Sequence, residues 1–128
     1  MDPIFKKLQF KGQEQVVVLN APDSFQPHLK NMDGHTRLRE NMRGVKTIEF
    51  VLAFVLQKKE IDALVPKIAP RLEGDAQVWF AYPKKSSKKY KADFNRDTGW
   101  EAMGAAGLEG VRQVAIDEDW SALRFRRV

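Results

Sequence analysis

The chain has 128 residues, 43% of them apolar and 30% charged, the composition of one folded domain that buries roughly two-thirds of its unfolded surface. Twenty-two basic residues against 17 acidic ones give a net charge of +5. The absence of cysteine excludes a disulfide framework, thiolate metal sites and a cysteine nucleophile.

The opening "MDPIFKKLQFKGQ" lacks the apolar core of a secretory signal, and this alone supports the expectation of a cytoplasmic protein. The longest apolar run, Phe50 to Leu56, is too short to cross a bilayer, so no membrane partner is expected. Residues 15 to 19, "QVVVL", are β-branched and follow a turn-like "KGQE", which predicts a first strand. After them "NAPDSFQPHL" predicts a short helix to about Leu29, opened by Asp23 or Ser24. A short strand is expected around Thr36 to Glu40.

"TIEFVLAFVL", residues 47 to 56, has the almost unbroken apolar character of a strand buried on both faces, although a buried helix gives a similar pattern. In the next segment Ile61, Leu64, Val65, Ile68 and Leu72 recur at helical spacing. Pro66 predicts a kink or restart near Val65, and Gly74 a C-terminal cap. "AQVWFAY" predicts another buried strand, ended by Pro83. "GWEAMGAAG" predicts a short helix between a capping box of Thr98 and Glu101 and a terminating Gly107. Finally "VRQVAI" and "WSALRFRRV", joined by "DED", predict an antiparallel hairpin, with the acids free to pair with Arg124 or Arg126.

Strands alternating with helices predict an α/β, Rossmann-like, mostly parallel sheet flanked by helices in a single domain, residues 1–128. In such sheets ligands bind beyond the carboxyl ends of the strands, where the winding reverses. The loops delivered there are "NAPDS", "QKKE" and "PKKSSKKYKADFN".

The last of these loops holds Lys84, Lys85, Lys88, Lys89 and Lys91, with no acid between residues 83 and 91. Without those five lysines the remaining 17 cations match the 17 acids, so the basicity belongs to one segment. Lys84, Lys85 and Lys88 supply charge, Ser86 and Ser87 hydroxyls, and Asn95 and Arg96 donors beside a helix start. Asn20, Asp23 and Ser24 approach from the neighbouring loop. The expected ligand is an anionic or phosphate-bearing small molecule, with no catalysis assigned. A hydrated loop that discourages aggregation is the plain alternative. A nucleic acid or acidic protein is a further candidate partner, although only Tyr90 interleaves with the lysines.

"WFAYPKKSS", "DFNRDTGWEAMGAAGL", "VRQVAIDEDWSALRFR" and, less closely, "VVVLNAP" resemble a bacterial family of small proteins of unknown function. The layout also resembles the sheet of S-adenosylmethionine-dependent methyltransferases with parts trimmed away, which implies the strand order 2-1-3-4-6-5 with the last strand reversed. That likeness makes a divergent methyltransferase-like enzyme the alternative function, with Glu40 standing where a ribose-binding acid is expected. The cofactor is not thereby assigned, because "LNAPDSF" lacks the glycines that let backbone approach the ligand, and Pro22 removes a donor. The dinucleotide and "GK[ST]" phosphate-loop motifs are absent as well.

"DFNRDTG" resembles the start of a calcium loop, but Thr98 and Gly104 occupy the positions of its turn glycine and bidentate acid. Asn95, Asp97 and Thr98 are therefore expected to organise the loop locally. His28 and His35 lack the further ligands of a zinc site, and no metal is expected. Trp79, Trp100 and Trp120 are expected to pack rather than to stack on a ligand.

Overall fold

A computed structural model describes residues 1–128. Its elements are α1 (Pro3–Lys7), β1 (Gln15–Leu19), a 3₁₀ turn (Asp23–Phe25), α2 (Gln26–Asn31), β2 (Arg37–Arg39), β3 (Ile48–Phe54) and α3 (Lys58–Ile68). A second 3₁₀ turn (Ala69–Arg71), β4 (Leu72–Pro83), α4 (Glu101–Ala105), β5 (Leu108–Ala115) and β6 (Trp120–Arg127) complete the chain. The six strands form one sheet in the order β2-β1-β3-β4-β6-β5. β2, β1, β3 and β4 run parallel, and β6 pairs antiparallel with both β4 and β5. The expected order and the reversed last strand are both present.

Period-two alternation splits the apolar residues between two faces. Val17, Leu19, Val51, Ala53, Val78, Phe80 and Phe125 pack under α3 and α4. Val16, Val18, Phe50, Leu52, Phe54, Trp79 and Ala81 pack under α1 and α2. Central strands covered on both sides leave no polar face, which is why β3 reads as a nearly unbroken apolar run. Trp79 is fully buried and its indole donates to the Leu8 carbonyl at 3.0 Å, fixing the turn after α1 to the sheet.

Four local expectations are corrected. Gly74 does not cap α3. It lies inside β4, with φ of 59°, where the β3–β4 register jumps from Ile48↔Leu72 to Phe50↔Gln77, so a bulge uses its left-handed backbone. α3 continues through Pro66 to Ile68 before tightening into the 3₁₀ turn. At its start Gln57 and Glu60 form a reciprocal capping box, with Glu60 Oε1 accepting from the Gln57 amide at 2.9 Å and the Leu56 amide at 2.8 Å. α4 carries no side-chain cap, since its N-cap is Trp100 and Glu101 is the first helical residue rather than the third. The hairpin acids do not reach Arg124 or Arg126, whose ion-pair partners are Asp75 at 3.8 Å and Glu109 at 3.9 Å. Asp117 closes the turn itself, accepting from the amides of Asp119 and Trp120. No helix is long and apolar enough to cross a membrane.

Candidate functional site

Parallel pairing carries the ends of β1, β3 and β4 to one edge of the sheet, so residues 20–24, 55–58 and 84–98 share that edge. The antiparallel β6 begins there, with Trp120 opposite Pro83. Asn20 follows β1 directly and adopts the left-handed conformation at φ of 59°. Asp23 and Ser24 begin the next 3₁₀ turn as exposed residues, and Glu40 follows β2 directly.

The 84–98 segment is a tethered strap. The Lys84 amide donates to the Asp119 carbonyl at 2.8 Å. Ser87, 6% exposed, donates its hydroxyl to Asp119 Oδ1 at 2.8 Å and accepts from the amides of Lys89 and Tyr90. Tyr90 packs against Trp120 with ring centroids 4.9 Å apart, on the face that α1 and α2 cover. Further on, Asp93 Oδ1 accepts from the Lys58 amide at 2.7 Å, and the Asp93 amide donates to Leu56. Phe94 then packs beside Tyr82 and Trp100 on the opposite face. The strap thus crosses the carboxyl edge from one face of the sheet to the other, covering the ends of β3 and β4.

The expected site residues divide accordingly. Lys84, Lys85, Asn95 and Arg96 line one concavity of about 290 Å³, together with Tyr82, Asp97, Gln113 and Ser121. Ser86 and Lys88 are exposed on the strap outside it, and Ser87 is engaged in holding the strap. Asn20, Asp23 and Ser24 lie on the same edge but do not line that concavity. Asn95 organises its own turn, with Oδ1 accepting from the amides of Asp97 at 2.8 Å and Thr98 at 3.0 Å. Arg96 reaches β5 rather than a helix start, donating from Nη1 to Gln113 Oε1 at 3.2 Å.

Sequence reasoning missed Tyr82, Gln113 and Ser121. Their apolar or alternating strand context gives no sign of a site, and only the β4–β6–β5 register brings them under the strap. Gln113 Nε2 donates to the Tyr82 hydroxyl oxygen at 2.9 Å. Burial pushes the Tyr82 phenol above its ordinary value, outweighing the opposing pull of the Arg96 charge. The lysine and arginine ion pairs use Lys58, Arg96, Arg124 and Arg126, and none of the five strap lysines.

Two broader grooves lie elsewhere on the surface, one lined mainly by apolar residues and one mainly by polar residues. One of about 820 Å³ lies between α3 and α4 beside Arg127 and Val128, away from the strap, and its walls are mainly Ala, Pro and Val. The other, about 730 Å³, runs between α2 and β2 and ends at Glu40. No group of three or more His, Cys, Asp or Glu side chains is placed to hold a metal ion.

No family model matches the chain, and no curated protein matches it in sequence. Solved structures share its fold. The ribosomal protein L11 methylase from Lactobacillus delbrueckii subsp. bulgaricus superposes with a TM-score of 0.58 at 12% identity, over 98% of this chain and 77% of that one. The pyocyanin biosynthetic protein PhzM gives a TM-score of 0.60 at 12% identity, over 98% of this chain and 53% of PhzM. The fibrillarin pre-rRNA processing protein of Methanococcus jannaschii gives 0.58 at 12%, over 99% and 69%. This chain therefore spans about half of PhzM and about three-quarters of the methylase. At such identities the likeness is one of fold alone.

Proposed function

We propose that this chain is a divergent methyltransferase-like domain that binds a ligand at the carboxyl edge of its parallel strands. The observation that carries the reading is the complete strand order with its reversed final strand, on a fold shared with the L11 methylase. Two local features support it. Asn20 supplies, immediately after β1, the left-handed turn for which glycine is the usual residue, and asparagine tolerates that conformation at modest cost. Glu40 directly follows the neighbouring parallel strand β2, where a ribose-binding acid is expected in that fold.

Because the strap covers the ends of β3 and β4, the room for an adenosyl group is at the β1–β2 end. Calorimetric titration with S-adenosylmethionine is the test. The reading expects saturable binding that Glu40→Gln weakens about tenfold, the worth of a charge-assisted hydrogen bond. Absence of binding at millimolar cofactor discards it.

A second reading is favoured by the concavity that gathers Lys84, Lys85, Asn95 and Arg96. Here the domain binds an anionic small molecule under the strap, independently of any adenosyl cofactor. Its support is the unpaired charge of Lys84 and Lys85 beside the Arg96 fork. Replacing Lys84 and Lys85 together by serine is expected to abolish binding of inorganic phosphate, read by calorimetry. Undiminished binding removes the reading.

A further inference from the structure

We infer that the concavity under the strap is a phosphate-monoester site, in which Tyr82 and Arg96, aligned through Gln113, donate to the ligand beside Lys84 and Lys85. This rests on the anionic reading above and narrows it to one ligand chemistry.

The hydrogen bonds determine which way each donor points. A guanidinium can only donate, so the Gln113 atom 3.2 Å from Arg96 Nη1 is the amide oxygen. The Gln113 amide nitrogen therefore faces Tyr82 and donates to its hydroxyl oxygen at 2.9 Å. A phenol that accepts this bond keeps its own proton for another acceptor. Burial, which disfavours the phenolate, keeps that proton in place across the neutral range.

The amide acceptors of the concavity are used, and its one carboxylate is drawn toward a cation. Asn95 Oδ1 is taken by two backbone amides, Gln113 Oε1 by Arg96, and the Asp97 carboxylate stands 3.7 Å from Arg96 Nε. Lys84 and Lys85, like Arg96, can only donate. A ligand that must itself donate, such as a sugar hydroxyl or an amine, meets chiefly the Asp97 carboxylate at the rim and the Ser121 hydroxyl. An oxyanion finds several donors converging from β4, the strap and β5.

Charge narrows the ligand further. Three cations face one carboxylate, leaving a local excess that a dianion answers more fully than a monoanion. The volume, about 290 Å³, admits a phosphate with a small organic group and is too small for a dinucleotide. The Lys84 backbone is held to the hairpin turn and Arg96 to β5, so neither anchor must be ordered from a free loop when the ligand arrives.

Titration of isotope-labelled protein with methyl phosphate, dimethyl phosphate and acetate at constant ionic strength tests this, with amide shifts of residues 82–97 and 113–121 followed by NMR. The monoester is expected to bind at least tenfold more tightly than the diester or acetate. Tyr82→Phe preserves the ring's packing on Phe94 and Trp100 and is expected to weaken the monoester about tenfold. Gln113→Leu is expected to do the same, with a circular dichroism spectrum showing the fold retained. Equal binding of all three ions, with Tyr82→Phe matching wild type, overturns the monoester assignment. If the double Lys84→Ser, Lys85→Ser variant still abolishes that binding, the broader anionic reading survives. Shifts with none of the three ligands overturn both.

Discussion

Asp2 is a carboxylate with no exposed side-chain surface, and it accepts from four donors. The amides of Ile4 and Phe5 make it the N-cap of α1, while Asn31 Nδ2 at 2.9 Å and His28 Nδ1 at 2.8 Å tie it to α2. Burial works against its charge, yet the hydrogen bonds from Asn31, His28 and the Phe5 amide outweigh it and hold the carboxyl below its ordinary 3.8. A folded-state pKa below the unfolded one means that the unfolded chain binds more protons in the intervening window. The stabilisation is complete above the unfolded pKa and is lost as pH falls through the folded one. Asp2→Asn, which keeps a capping oxygen but loses the charge, is expected to cost about 1–2 kcal/mol at pH 7 and progressively less at a second pH below 3.8. Calorimetric melting at the two pH values checks this; an equal loss at both refutes the pH dependence. Gly99 poses a steric constraint instead. Its φ is 95°, and a Cβ there would lie 2.6 Å from the Phe94 Cβ, so Gly99→Ala is expected to cost about 2 kcal/mol or more, measured by urea unfolding. The same glycine explains why Thr98 and Glu101 do not form the box their spacing predicts. Asn95 already takes the Thr98 amide, the chain turns left-handed at Gly99, and the helix starts only at Glu101.

The strap has the composition of a solvated loop, and its ordering residues are the inconspicuous ones among the lysines. Ser87 serves three partners at once, so Ser87→Ala leaves the Asp119 carboxylate and the Lys89 and Tyr90 amides short of a bond. A loss of about 1–3 kcal/mol is expected, together with faster amide exchange at Lys89 and Tyr90. Unchanged exchange would show that Ser87 does not order the strap, leaving the Lys84 and Asp93 hydrogen bonds and the Tyr90–Trp120 contact to hold it. Sequence reading placed this loop at the correct edge but assigned Ser87 to a ligand, because a hydroxyl beside lysines looks the same whether it faces an anion or a distant aspartate. Asp119 is 32 residues away, and no local pattern announces the pairing. The α3 capping box was missed for a simpler reason: glutamine, rather than serine or threonine, occupies its N-cap. Gly74 illustrates the reverse error, since a left-handed glycine after a helical pattern is equally at home in a bulge.

At the scale of the molecule, the sheet was legible because both of its faces are covered, so residues 47–56 and 76–82 advertise buried strands and the intervening helix forces a parallel crossover. Half of the candidate site was legible with it. Charge can be read from composition, whereas Tyr82, Gln113 and Ser121 become neighbours only through two antiparallel registers. The separation of charge from fold has a direct test. Lys84, Lys85, Lys88, Lys89 and Lys91 carry the whole net charge of +5, and none joins an ion pair. Replacing all five by serine brings the formal charge to zero and removes no hydrogen bond made by a lysine side chain of the strap. Each substitution is a surface change, within about 0.5 kcal/mol of neutral, and relief of mutual repulsion among the five offsets small losses of packing such as that of Lys89 over the Tyr90 ring. The quintuple variant is therefore expected to melt within a few degrees of wild type, to elute earlier from a cation exchanger, and to lose solubility near neutral pH. A large fall in melting temperature would mean that the lysines hold the strap down, and that their charge serves the fold instead of a ligand.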